Sequence, residues 1–137
     1  MGFRDRLFAP LLAVLAGLFL AGTPASAHHS VSAEFDLNKH VTLQGKITKI
    51  EWMNPHVYLY VDVREGRKTA NWACETAGPH TLERQGWSHD TLKIGDPVTV
   101  VGYQARDGSH VASAREVVLA NGRKVFVGSP GDGGQQH

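Results

Sequence analysis

Cysteine is nearly absent from this chain of 137 residues, in which Cys74 is the only one. A single cysteine excludes an internal disulfide. Cys74 lies within an apolar strand pattern, so we interpret it as a small buried hydrophobic residue. A metal thiolate or an intermolecular disulfide is the alternative interpretation.

An excess of charge of one sign is also absent. The chain has 14 Lys and Arg against 13 Asp and Glu, and without residues 1–27 the two counts are 12 and 12. A neutral chain gives no electrostatic reason to expect nucleic acid or an anionic membrane surface as a partner. Histidine, in contrast, is abundant, because eight histidines are present and all of them lie beyond residue 27.

The motifs of an activated catalytic nucleophile are missing as well. Neither Gly-x-Ser-x-Gly nor a phosphate-binding glycine loop occurs in the sequence. The pairs Asp107-Gly108 and Asn121-Gly122 are typical of turns, and the second is the strongest hairpin signal in the chain. We therefore predict that the protein is not an enzyme.

The longest apolar run is too short to span a membrane. Residues 7–20 form a stretch of 14 residues that includes Pro10, whereas a spanning helix needs about 20. Two arginines precede this run, and the small-x-small sequence Ala25-Ser26-Ala27 follows it. This arrangement predicts a signal peptide over residues 1–27. We expect a periplasmic mature protein that begins at His28 and has no stable membrane anchor.

Alternating apolar and polar residues predict six strands, separated by turns rich in glycine, proline and asparagine. The apolar phase shifts after residue 47 toward Ile50 and Trp52, and a shift beside the mid-strand Gly45 indicates a bulge or bend. One short helix is predicted within residues 80–89 and is broken by Gly86. The first predicted strand is long and bent, alternating over residues 41–48 and continuing through the phase shift at Ile50 and Trp52. The other predicted strands lie at residues 56–63, 69–76, 98–104, 110–119 and 123–127.

The order of these elements predicts an all-β domain with one short helix, arranged as a small OB-type barrel of five to six strands. An immunoglobulin-like sandwich is the alternative, but a helical insertion and so few strands fit it poorly. The chain then has four parts, which are the signal peptide 1–27, an N-terminal arm 28–40, the β-barrel domain 41–127 and a disordered tail 128–137.

A metal site is the most specific chemistry that the sequence suggests. After cleavage, the α-amino group and imidazole of His28 and the imidazole of His29 lie within one dipeptide, a set that favours copper, nickel or zinc. Two ligands are too few for a tight site, so further ligands are expected from His56, His110 or the carboxylate of Glu75. The alternatives are a solvated arm, a His56 ring that only bonds the backbone, and a Glu75 that only partners a nearby histidine.

Five aromatic residues offer a second kind of surface, namely Trp52, Tyr58, Tyr60, Trp72 and Trp87. Strand alternation places the two tyrosines opposite the apolar face of their strand. An exposed aromatic face can stack ligands in OB-type barrels. Because no basic groove accompanies it here, packing in the core or at its rim is the favoured interpretation.

Short motifs spread over nearly all of the mature chain are weak singly and specific together. With them the chain resembles a family of small exported bacterial proteins of uncharacterised function. The resemblance implies an exported β-rich domain without an established substrate or reaction, and a large apolar residue common at the position of Cys74 implies burial there. The motifs are His28-His29-Ser30, Glu34-Phe35-Asp36, Gly45, Glu51-Trp52, Asn54-Pro55-His56, Asn71-Trp72, Glu75, Gly86-Trp87, Leu92, Gly95-Asp96, Asp107-Gly108 and Asn121-Gly122-Arg123-Lys124.

These observations predict an exported periplasmic ligand-binding module. Its expected ligand is a transition metal, copper or zinc, held by the histidine arm and the His56 loop; another small ligand is a further option. The alternative is a non-catalytic interaction module of the cell envelope, which docks a partner protein on its aromatic face.

Overall fold

The structure is a computed structural model that describes residues 30–129. The predicted signal peptide, His28, His29 and most of the predicted tail therefore lie outside the described residues. None of the helices within residues 30–129 combines the length and the apolar character of a membrane-spanning segment. The helices are α1 (Val31–Glu34) and α2 (Pro79–Arg84), and the strands are β1 (Phe35–Glu51), β2 (Tyr58–Glu65), β3 (Lys68–Glu75), β4 (Pro97–Ala105), β5 (Val111–Val118) and β6 (Lys124–Phe126).

The strands form one sheet that closes on itself. Their hydrogen-bonded order is β3-β2-β1-β4-β5-β6, with every neighbouring pair antiparallel. A parallel pairing of β3 with β5, Ala73–Glu75 against Val111–Ser113, joins the two sides of the sheet. Five strands therefore form a closed ring, and the predicted all-β class with its short helix between the third and fourth strands is confirmed.

Strand β1 is long enough to pair with β4 over its first part and with β2 over its second. Its register shifts between Ile47 and Lys49, which confirms the predicted irregularity. A side chain at Gly45 would place a Cβ 2.0 Å from the Asp62 carbonyl oxygen of β2. Only glycine allows the two backbones to approach this closely, so β1 can bend around the core there.

The start of β1 differs from the prediction. Residues 35–40 were assigned to the arm, but Phe35 pairs with Ala105 and His40 with Tyr103. Of these six residues only Phe35 is buried. The apolar alternation of Phe35 and Leu37 stops at the polar residues 38–40, so the sustained period-2 pattern begins only at Val41.

The inward faces of the strands form a single core. Tyr58 and Tyr60 are half-buried on the opposite face of β2, as strand alternation predicts. Cys74 is fully buried, and burial raises the pKa of its thiol to about 12; the interpretation as a core residue is confirmed. The largest fully buried side chains include Ile47, Leu59, Val61, Val100 and Val117.

The local stop signals also act as predicted. Helix α2 presents Leu82 to the core, and the chain turns at Gly86, whose φ is +87°. The Asn121-Gly122 turn joins β5 to β6, with Gly122 at a φ of +81°. Both glycines adopt a left-handed conformation that other residues rarely take.

Candidate functional site

The loop between β1 and β2 is held rigidly against the end of β3. Its Asn54–Pro55 peptide bond is cis. On the far side of His56, the Val57 amide donates to the Ala77 carbonyl over 3.1 Å. A Cβ on Gly78 would lie only 2.6 Å from the Pro55 carbonyl oxygen, so this approach again requires glycine. The backbone of His56 is therefore fixed on both sides.

The His56 ring has a defined orientation. Its Nδ1 lies 2.8 Å from the carbonyl oxygen of Thr76. Because a carbonyl only accepts hydrogen bonds, Nδ1 carries a proton and donates. Nε2 faces a carboxylate, which also only accepts, so it donates to Glu75 when the ring is doubly protonated and offers a lone pair to a metal when the ring is neutral. Nε2 lies 3.4 Å from Oε1 of Glu75, and the two side chains are 33% and 15% exposed. The pair is thus partly shielded but open to solvent on one side.

Glu75 is oriented by a tyrosine of the neighbouring strand. Tyr58 stands opposite Glu75 in the register of β2 and β3, and its hydroxyl donates to Oε2 over 2.8 Å. Burial of the phenol, followed by the hydrogen bond to Glu75, raises the pKa of Tyr58, so the hydroxyl remains a donor. Oε2 is therefore occupied, and Oε1 is the oxygen that faces His56.

The segment that follows the predicted mature N-terminus lies close to this pair. The charge of Glu34, at the end of α1, is among the causes that raise the pKa of Tyr58. Arg106 anchors α1, because its amide donates to the Glu34 carbonyl and its Nε to the Ser32 carbonyl, over 3.0 and 2.8 Å. The first described residues of the arm are thus held by Arg106, and the charge of Glu34 acts on Tyr58, the partner of Glu75.

The structure does not bring His110 to this cluster. Its Nε2 lies 3.7 Å from Oε2 of Glu65, and its ring stacks on Trp72 at 4.9 Å. These residues lie at the Glu65 end of β2, whereas Tyr58 and Glu75 lie at the other end. Among residues 30–129 no group of three or more His, Cys, Asp and Glu is placed to hold a metal; the described part of the candidate site is the pair His56–Glu75.

The outer aromatic face is engaged in contacts within the domain. The Tyr60 hydroxyl donates to Glu51 over 2.8 Å. Lys49 contacts the same carboxylate, and its ammonium lies 5.1 Å from the centre of the Tyr60 ring. Sequence reasoning placed the tyrosines on this face but did not identify Tyr58 as the partner of Glu75. Only the strand register supplies that contact.

Comparison with curated proteins gives no match, and neither does comparison with solved structures. A family model matches residues 16–114, which include the arm, the His56 loop and Glu75. The match confirms the predicted membership in a family without an assigned activity. The chain belongs to the DUF6152 family, a family of unknown function.

Proposed function

We propose that the protein is an exported, non-catalytic module that binds a divalent transition metal, copper or zinc. In this proposal the mature N-terminal arm closes over the His56–Glu75 pair. The α-amino group and imidazole of His28 supply two ligands and the pair supplies two more. His29 either joins this set or faces away from it.

The observation that carries the proposal is the preorganised pair itself. His56 Nε2 and Glu75 Oε1 lie 3.4 Å apart. The other ring nitrogen of His56 contacts the Thr76 carbonyl, and the other carboxylate oxygen of Glu75 accepts a hydrogen bond from the Tyr58 hydroxyl. Metal-binding histidines usually donate their second ring nitrogen to a carbonyl or carboxylate in this way, and ligating carboxylates are themselves hydrogen-bonded.

The position of the arm supports a joint site. Two ligands bind a divalent metal weakly, so the pair needs partners from elsewhere. Helix α1, which belongs to the arm, is anchored by Arg106, and the charge of its Glu34 acts on Tyr58, the partner of Glu75. His110 is left out of the proposed set, because it lies beside Glu65 and Trp72.

Calorimetric titration of the correctly processed protein with zinc(II) and copper(II) tests the proposal. Adding one alanine before His28 removes the chelating geometry of the amine without changing the β-sheet domain. We expect one metal per chain, and weaker zinc binding both in the extended protein and in His56→Ala. If the extended and native proteins bind both metals equally, the arm is not the site, and docking of an envelope protein on the aromatic face becomes the leading proposal.

Proton competition provides a second readout of the same site. An α-amino group and an imidazole must both be deprotonated to bind, and their reference pKa values are about 7.8 and 6.5. Affinity should therefore fall steeply between roughly pH 8 and pH 5. A binding constant that does not change over this range would contradict coordination by the amine and histidine.

A further inference from the structure

We infer that a cavity between the core of the closed sheet and helix α2 binds a small neutral molecule with an apolar body and a single hydrogen-bond acceptor, such as a ketone. The acceptor takes the indole N–H of Trp87. His56 and Glu75 do not line this cavity, and the site requires neither the N-terminal arm nor a metal.

The walls of the cavity are mainly apolar. Ile50 and Leu59 come from β1 and β2, Leu82 comes from α2, and Leu92 comes from the segment that follows α2. These side chains belong to the hydrophobic core or pack against it. In the described part of the chain, no charged side chain lines the cavity. A charged ligand would lose its hydration there without compensation, so the ligand is neutral.

Trp87 brings an unpaired hydrogen-bond donor to this wall. The residue is 4% exposed and lines the cavity, and its Nε1 has no hydrogen-bond partner among the described residues. A buried N–H that has lost its water and gained no acceptor destabilises the folded protein. A ligand that supplies the acceptor removes this penalty, so its binding is favoured.

The other polar side chains of the wall already make hydrogen bonds within the chain. Thr76 Oγ1 lies 2.9 and 3.0 Å from two backbone carbonyl oxygens, and Ser88 Oγ accepts from the Asp90 amide over 3.3 Å. A buried water usually makes about three hydrogen bonds, whereas Trp87 offers one. The wall therefore favours an apolar molecule with one acceptor over a structural water.

The available space limits the size of the ligand. The empty volume is about 250 Å³, part of which is open to solvent, and an apolar cavity of about 150 Å³ holds benzene. A compact ring of about six atoms therefore matches the site. A ketone of this size suits the wall, because its carbonyl accepts from Trp87 and it has no donor that would be left unpaired.

Entry of a ring requires one wall to move, because the enclosed part of the cavity has room for only about one water molecule. Trp52 is half-buried in the wall, and its ring centre lies 4.4 Å from that of the exposed His89. Both residues lie outside the helices and strands. Separation of these two rings opens the cavity to the ligand.

The test follows the Trp87 indole proton by proton–nitrogen NMR in the ¹⁵N-labelled, metal-free protein. The probes are cyclohexanone and methylenecyclohexane, which has nearly the same shape but carries a CH₂ group in place of the carbonyl oxygen. Cyclohexanone should move the Trp87 indole proton downfield until the site is saturated, and methylenecyclohexane should bind without that shift. The Trp72 indole, which already donates to Glu65, should stay fixed with both probes.

Substitution of the two tryptophans measures the hydrogen bond. Trp87→Phe keeps an aromatic ring and removes the N–H, and the comparison of the two probes cancels their different hydration. Trp87→Phe should lower the affinity for cyclohexanone about 10-fold more than the affinity for methylenecyclohexane. Trp72→Phe is the matched control, because it removes an indole N–H outside the cavity; it should leave both affinities unchanged.

Equal losses for the two probes in Trp87→Phe would overturn the inference. So would a Trp87 indole proton that contacts a bound water and does not respond to cyclohexanone, which is the result for a cavity that holds a structural water only. The NMR titration uses the unsubstituted protein, so it decides the matter if Trp87→Phe does not fold. Because no metal is present, either negative result leaves the proposed function standing.

Discussion

The two ends of strand β2 each carry a histidine beside a glutamate, but the surroundings differ. At the Tyr58 end, His56 and Glu75 are 3.4 Å apart, and other groups hold the far side of each. At the other end, His110 and Glu65 are 3.7 Å apart and about half exposed. The nitrogen–oxygen distances of the two pairs are therefore similar, but the first pair is less exposed to solvent than the second.

The glutamates also have different second partners. Glu65 accepts a hydrogen bond from the indole of Trp72 over 3.1 Å, and His110 stacks on that indole. This cluster covers a core residue at the end of the ring, which is a structural role. The two pairs therefore differ less in the distance between their donor atoms than in burial and in the group that holds the histidine ring, a backbone carbonyl for His56 and the Trp72 indole for His110.

The largest expected effect separates the two histidines. His56→Ala should lower zinc affinity by about 100-fold, since it removes a proposed ligand. His110→Ala should leave zinc affinity unchanged, because its ring packs on Trp72. Calorimetric titration of both variants checks this, and a comparable loss in His110→Ala would mean that the Glu65 end belongs to the site.

The next largest effect is expected from alanine substitution of two glycines, Gly78 and Gly66, which should differ in their influence on zinc binding. Gly78→Ala would force a Cβ into the Pro55 carbonyl, 2.6 Å away, so we expect a stability loss of about 1–3 kcal/mol from overpacking and weaker zinc binding. Gly66→Ala meets open space at a φ of +64°; backbone strain should cost about 1–2 kcal/mol without affecting zinc. Chemical denaturation and titration measure the two quantities. Unaltered zinc binding in a folded Gly78→Ala protein would show that the loop packing does not position His56.

A smaller effect is expected in the core between the two ends. Cys74→Ala should cost about 1 kcal/mol and leave metal affinity unchanged. Burial raises the pKa of the Cys74 thiol from 9.0 to about 12. Because the folded state holds the thiol proton more tightly than the unfolded state, the free energy of unfolding should be constant below pH 9 and should fall as pH rises from 9 toward 12. A thiol reagent should react with the native protein only after denaturant is added. Rapid labelling of the native protein would contradict burial.

The smallest effect distinguishes the two glutamates. Glu65→Gln keeps an oxygen that can accept from the Trp72 indole, so stability should change by less than about 0.5 kcal/mol and zinc affinity should stay the same. Glu75→Gln is the same chemical change at the other end and should weaken zinc binding strongly. Equal behaviour of the two variants would remove the distinction between the two ends.

Much of the fold follows from local sequence signals. Alternation on β2, the helix stop at Gly86 and the Asn121-Gly122 hairpin are all confirmed. The start of β1 at Phe35 was missed because the alternation of Phe35 and Leu37 is interrupted by the polar residues 38–40, and the pairing partners in β4 are distant along the chain. Local patterns indicate elements, while long-range pairing decides where they begin.

The candidate site was only partly predictable. His56 at the strand edge and Glu75 on the outer face of β3 were both identified from the sequence. Their contact depends on the β2–β3 register, which places Tyr58 opposite Glu75. The location of His110 depends on the pairing between β3 and β5, where its carbonyl accepts from the Ala73 amide over 3.0 Å. Loop position along the sequence does not specify that pairing.

The most direct test of a joint site observes the histidine rings themselves. Long-range proton–nitrogen NMR spectra of the processed, ¹⁵N-labelled protein resolve the ring nitrogens of each histidine and report which one carries the proton. Before metal is added, His56 should show a protonated Nδ1. During titration with zinc(II), the signals of His28 and of His56 Nε2 should change together and be complete at one equivalent, while those of His110 stay fixed. If the His28 signals shift and the His56 signals do not, the arm chelates metal by itself and the joint site is contradicted.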